Sequence, residues 1–235
     1  MKIKKRVSVI LSAILMSVTL LSGINTAFAE EVNQEQSFTQ EDYDKGRSEG
    51  WIGEDVSLED MQRMCEGSEK LDEKLDEDPN FIQVYSTSYK AGDIIITNAT
   101  TMPFGHAGIF VGKNSILSID GPGKHPSVKT VSQFRNVYDD TKSGKWTKVY
   151  RCTISGYGSK ASTWAMNNYH GSNAYYLITN NLASKNPTYC SKIVYQSYRY
   201  GVGKKAIDSK YDYVNTVGPF DLTTMIKNIN VIHKY

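Results

Sequence analysis

Apolar and polar positions divide the chain into three regimes. The first is an apolar run from Val7 to about Leu21, preceded by Lys2, Lys4, Lys5 and Arg6 and followed by Ala27-Phe28-Ala29. A basic start, a short apolar run and a small-x-small site make up a secretory signal peptide, so residues 1–29 are read as a leader and the rest as exported. The run is shorter and more interrupted than the ~20 apolar residues a membrane span requires. The second regime, residues 30–88, is polar. Glu30 to about Gln40 is expected to lack fixed structure. Ser57 followed by Asp60 has the form of a helix start. Leu58, Met61, Met64, Leu71 and Leu75 then give a thin stripe at helical spacing, predicting a charged helix that runs towards Asp76 and ends before Pro79.

The third regime, residues 89–235, alternates short apolar runs with turn residues. The turn Ala91-Gly92-Asp93 leads into a strand at Ile94–Ile96, and Gly105-His106 opens another at Ala107–Val111. After Gly112-Lys113-Asn114 a third strand covers Ser115–Asp120, closed by Gly121-Pro122-Gly123. Val128–Val131 and Trp146–Cys152 read as further strands around a polar loop, Val137–Gly144. Helices are predicted at Ser159 to about Tyr169 and at Tyr189–Tyr200, the latter ended by Gly201. A helix, then strands, then helices argues for an α+β fold.

Charge changes the picture of the second regime. The 235-residue chain has a formal net charge of only +2, yet Glu30–Asn80 holds 18 acidic and 5 basic residues, and the chain from Phe81 onward 7 acidic and 18 basic. A basic exported domain favours an anionic surface such as a cell wall or anionic lipid. Mutual neutralisation of the two stretches explains the same numbers. The acidic extension is accordingly read as a helix docked on the basic domain, a removable cover or pro-segment, or a solvated spacer. Nothing in the pattern points to nucleic acid.

Three cysteines, Cys65, Cys152 and Cys190, are too few and odd in number for a disulfide scaffold. A Cys65–Cys152 bridge would leave Cys190 free. No His/Cys spacing matches a zinc site, and no cofactor is implied. Cys190 follows Asn186-Pro187-Thr188-Tyr189 at a helix start and shares one helix face with Val194 and Ser197, so its thiol points inward. The positive end of a helix lowers a thiol pKa, which suits a nucleophile; a small buried hydrophobe is the structural alternative. His106, between Gly105 and Ala107-Gly108, has room beside it and would form a thiolate–imidazolium pair with such a thiol. Alone it would be a satisfied structural histidine. His125, His170 and His233 lack comparable framing. Tyr89, Tyr175, Tyr176 and Tyr189 are candidates to line a groove.

Taken in order, Gly92-Asp93-Ile94-Ile95, Gly105-His106-Ala107-Gly108-Ile109, Gly121-Pro122, Tyr189-Cys190-Ser191-Lys192-Ile193-Val194-Tyr195 and Gly218-Pro219-Phe220-Asp221-Leu222 resemble the permuted papain-like hydrolases of the NlpC/P60 superfamily, the YiiX/YycO-like group. The resemblance covers roughly Ala91–Val231. It implies a small antiparallel sheet or barrel packed on the nucleophile helix, with Cys190 as nucleophile and His106 as general base. It implies hydrolysis or transfer at an amide or ester through a thioester. The family's usual third residue, often Glu, falls at Ser118 here. Asp120, two residues on and on the same face of a continuing strand, is the stronger candidate to orient His106, and Ser118 the weaker, neutral one. The reading is a secreted cysteine hydrolase acting on an amide bond, in cell-wall peptides or another envelope component. A lipid-directed acyl hydrolase or acyltransferase on the same fold and a non-catalytic surface-binding protein are its rivals. Oligomeric state is not legible.

Overall fold

The computed structural model describes residues 37–66 and 88–235. The leader at residues 1–29 and the predicted continuation of the acidic helix towards Asp76 lie outside the described residues. Among the described residues no helix is long and apolar enough to cross a membrane.

Two helices come first: α1 (Gln40–Ser48) and α2 (Leu58–Cys65). Each starts with a reciprocal capping box, Thr39 with Asp42 and Ser57 with Asp60, which satisfies two free N–H groups at each helix start. The polar stretch expected to be unstructured therefore gives way to helix at Gln40, because Thr39 supplies the cap.

Strands β1 (Ile94–Thr97), β2 (His106–Gly112), β3 (Ser115–Ser118) and β4 (Ser127–Lys129) follow. Helix α3 (Val131–Val137), β5 (Thr147–Cys152), α4 (Tyr157–Tyr169), α5 (Cys190–Gly201), α6 (Leu222–Met225) and β6 (Ile229–Lys234) complete the regular elements of the described residues apart from two 3-10 turns. The six strands form one antiparallel sheet in the order β4-β3-β2-β1-β5-β6. The fold is α+β. Two predicted strand ends are corrected. β3 stops at Ser118, before the Gly121 turn, and the run Val128–Val131 divides: β4 ends at Lys129 and Thr130 caps α3 with Gln133.

Strand periodicity sorts side chains onto two faces. Ile94, Ile96, Ala107, Ile109 and Leu117 join the large core under α4 and α5. Their neighbours Ile95, Phe110 and Ile116 join a smaller core covered by Phe134 and Tyr138 of the α3 region. Both faces being covered, β1 reads as an unbroken apolar run.

Residues 37–66, expected as an extension outside the domain, belong to the same large core. Phe38, Trp51, Ile52, Val56, Met61 and Met64 are all buried in it. Arg63 adds an ion pair to Asp221 at 2.9 Å and donates to the Thr216 carbonyl at 2.8 Å. All three cysteines are free, so the Cys65–Cys152 bridge is absent.

Candidate active site

Helix α5 carries the thiol. Residues Cys190–Tyr198 are buried on every side, and the polar members have partners: Ser191 Oγ donates to the Val217 carbonyl at 2.6 Å, Lys192 Nζ to Pro187 at 2.7 Å and Tyr198 to Gly92 at 2.7 Å. This anchoring fixes the helix start, and with it Cys190, against the sheet.

His106 is the first residue of β2 and pairs in register with Thr97. Gly105 makes the turn before it at φ +69°, where a Cβ would lie 2.5 Å from the Phe220 ring and 2.6 Å from the Thr97 carbonyl. Only glycine meets both demands, so Gly105 sets where His106 enters the sheet. Cys190 and His106 line one cavity of about 440 Å³, whose other walls include Trp51, Met102, Phe104, Val137 and Tyr176.

The third-residue question has a geometric answer. His106 Nε2 meets Ser118 Oγ at 2.8 Å, leaving Nδ1 as the ring's other polar atom. Asp120 lies beyond the end of β3 and makes its hydrogen bonds elsewhere. Lys129 Nζ donates to its Oδ2 at 2.5 Å, and Tyr138 donates to its Oδ1 at 3.3 Å. The sequence preference for Asp120 over Ser118 as the ring's direct partner is thus reversed, because the strand does not continue to position 120. Tyr138 stacks on the imidazole, with centroids 4.4 Å apart at 21°, and Phe134 lies 5.5 Å away.

Burial governs the protonation state. It pushes the His106 imidazole down to about 3, with Asp120 opposing and Lys129 reinforcing the shift. It also pushes the Cys190 thiol above its ordinary value, against the N–H groups of Ala107, Ser191 and Cys190 itself. The expected lowering by the helix end is therefore outweighed by desolvation. The resting pair is neutral thiol and neutral imidazole rather than thiolate and imidazolium.

Of the tyrosine candidates, Tyr176 lines the cavity and Tyr189 is buried, accepting the Val217 N–H at 3.2 Å. Tyr175 is half exposed, and Tyr89 contacts Phe110 and Tyr235 instead. The sequence reading missed Tyr138, Phe134 and the cavity walls Trp51 and Phe104. The Thr130–Gln133 capping box was the available signal for the first two. Among the described residues no cluster of His, Cys, Asp or Glu could hold a metal ion.

The sequence profile of the LnsA-like lipoprotein N-acylation proteins matches residues 72–230. The chain belongs to this family. An uncharacterized 30.3 kDa protein of Bacillus thuringiensis is 39% identical over 128 residues, 50% of this chain and 47% of its own length. The LnsA-like chain thus spans about half the length of that curated relative. No solved structure matches it. Cys190 and His106 both lie within the stretch matched to the LnsA-like family.

Proposed function

We propose that the protein is an exported cysteine acyltransferase that moves a fatty-acyl group from an ester donor to the N-terminal amine of a lipoprotein. The observation that carries this reading is the cavity shared by Cys190 and His106, walled largely by apolar and aromatic side chains. The family's description as lipoprotein N-acylation proteins supplies the acceptor class. The order His106 before Cys190, with an antiparallel sheet on the nucleophile helix, fits a permuted papain-like layout.

His106 Nδ1 takes the Cys190 proton as the sulfur attacks the acyl carbonyl carbon. A C–S bond forms, the donor's C–O bond breaks, and His106 returns the proton to the leaving alcohol oxygen. The acceptor amine then attacks the thioester carbon, forming C–N and breaking C–S. His106 relays the amine's proton back to sulfur. Ser118 holds the ring on Nε2 throughout. Water in place of the amine turns the same intermediate into ester hydrolysis; the amide-hydrolase alternative differs in the first step, where a C–N bond breaks and His106 gives its proton to the leaving amine. Apolar walls suit a hydrocarbon chain better than a polar wall peptide.

The test is intact-mass analysis after incubation with vesicles containing a phosphatidylglycerol of defined chains. An acyl adduct on Cys190, removed by hydroxylamine and absent in Cys190→Ala, is expected. An adduct that persists in Cys190→Ala overturns the assignment. Cleavage of muropeptides without any acyl adduct favours the hydrolase, and neither activity favours a binding protein.

A further inference from the structure

The acyl transfer proposed above requires His106 to carry a positive charge inside the protein for part of each cycle. Its direct hydrogen-bond partner, Ser118, is neutral. A buried imidazolium with only a hydroxyl beside it is costly, and such sites place negative charge or a π-face against the ring. Both are present here, one behind the other. Tyr138 lies flat on the imidazole at 4.4 Å and is itself buried. Its hydroxyl donates to Asp120 Oδ1, and the other carboxylate oxygen takes the Lys129 ammonium at 2.5 Å.

We infer that Tyr138 and Asp120 are positioning residues that stabilise His106 as it protonates, and that Lys129 opposes them, adding to the burial that keeps the resting ring neutral. Tyr138 transmits the effect by contact: its ring faces the imidazole, and Asp120 fixes the ring's tilt through the hydroxyl. Asp120 acts by field as well as by tether, since its charge favours the imidazolium while that of Lys129 disfavours it. The polar and titratable groups around His106 are Ser118 and Asp120 from the β3 end, Lys129 from β4, Tyr138 from the end of α3, Cys190 from α5, and Tyr176 with Lys45 of α1 and Glu49 just after it on the walls of the shared cavity. Tyr138 and Tyr176 carry no charge near neutral pH, and burial moves both hydroxyls further from ionising, so within the limit set by burial of the ring Asp120 and Lys129 are the charges that act on His106.

This inference rests on Cys190 and His106 being the reacting pair, and it predicts opposite signs for the two halves of one ion pair. The rate of Cys190 alkylation by iodoacetamide at pH 7 should fall severalfold in Asp120→Asn and rise severalfold in Lys129→Met. A merely structural ion pair, broken from either side, would move both variants the same way. Tyr138→Phe keeps the stacked ring and should slow alkylation less than Tyr138→Leu. Melting curves identify any variant that fails to fold. A shift of Asp120→Asn and Lys129→Met in the same direction, or no shift in either, overturns the inference, as does a Tyr138→Leu rate equal to wild type. His106→Ala separates the two levels. If alkylation is as fast without the imidazole, the reacting pair itself is wrong. If it slows while the Asp120 and Lys129 variants move together, only the positioning role fails.

Discussion

At the scale of single residues, the site is defined by how burial and partners set protonation. His106 is folded in as a neutral ring with a pKa of about 3, whereas an unfolded histidine titrates near 6.5. Between those values the unfolded chain binds the proton and the folded chain does not. The stability owed to the neutral ring is complete above pH 6.5 and is lost as pH falls towards 3. His106→Asn should therefore flatten the decline in unfolding free energy from pH 6.5 to 4, measured by denaturant titration. Asp221, pushed up by burial, contributes with the opposite sign and is unchanged in that comparison. An equally steep decline in the variant would mean that His106 is not protonated on unfolding in this range. The identities of Cys190 and His106 were readable from their framing: a helix start before the thiol, small residues around the imidazole. Their protonation was not, because helix-end stabilisation of a thiolate is local while desolvation depends on the completed packing. Asp120 was misread for a related reason. Strand parity put it on the face of Ser118 only if the strand ran on to position 120; β3 ends at Ser118, and Asp120 bonds Lys129 and Tyr138 instead.

At the scale of elements, the strands with unbroken or alternating apolar runs were legible, as was the start of α2 from Ser57 and Asp60, whereas the capped short helices α1 and α3 were not. β1, β2 and β5 lie within a residue or two of their predicted bounds, since burial on both faces leaves an apolar run with no competing period. Helix α3 has only Phe134 buried, too little for a helical stripe, so its Val131 was absorbed into the preceding strand. α6 is a single turn, and β6 is a half-buried edge strand of mixed polarity, with equally little pattern to show. Gly105 links element to site. Gly105→Ala forces a Cβ between the Phe220 ring and the Thr97 carbonyl at positive φ, so β2 must shift where His106 begins. Its expected signature is a drop in kcat, or in Cys190 alkylation, larger than the drop in melting temperature explains. A variant that loses stability and reactivity in proportion would make Gly105 a packing residue only.

At the scale of the whole molecule, the acidic stretch and the basic domain are joined mainly by apolar packing. Opposite charge suggested an electrostatic cover, yet among the described residues the ion pair across this joint runs the other way: Arg63 of the acidic stretch reaches Asp221 of the basic domain. The joint also has a polar seam, where Asp55 accepts from Thr179 Oγ1 at 2.7 Å and the Asn180 N–H at 2.9 Å and Trp51 and Gly53 bond the Ile178 backbone, but most of it is buried apolar side chains, Met61 and Met64 among them, with Met64 packed directly on Gly218. Trp51 also forms part of the cavity wall beside Cys190. Met64→Ala should cost about 2–5 kcal/mol, as buried Met→Ala changes do. A cover held by charge would behave differently from a structural part when cut loose. With a protease site inserted between Glu66 and Ser88 and cleaved, the two fragments should co-elute on size exclusion at low salt and still at 1 M NaCl, where the Debye length is ~3 Å and exposed charges no longer attract. Acyl-adduct formation on Cys190 should persist in the cleaved complex and disappear once urea separates the fragments, because Trp51 leaves with the first. Dissociation by salt alone, accompanied by faster acylation, would instead make residues 37–66 an inhibitory cover, and would mean that the apolar joint contributes little of the affinity holding it in place.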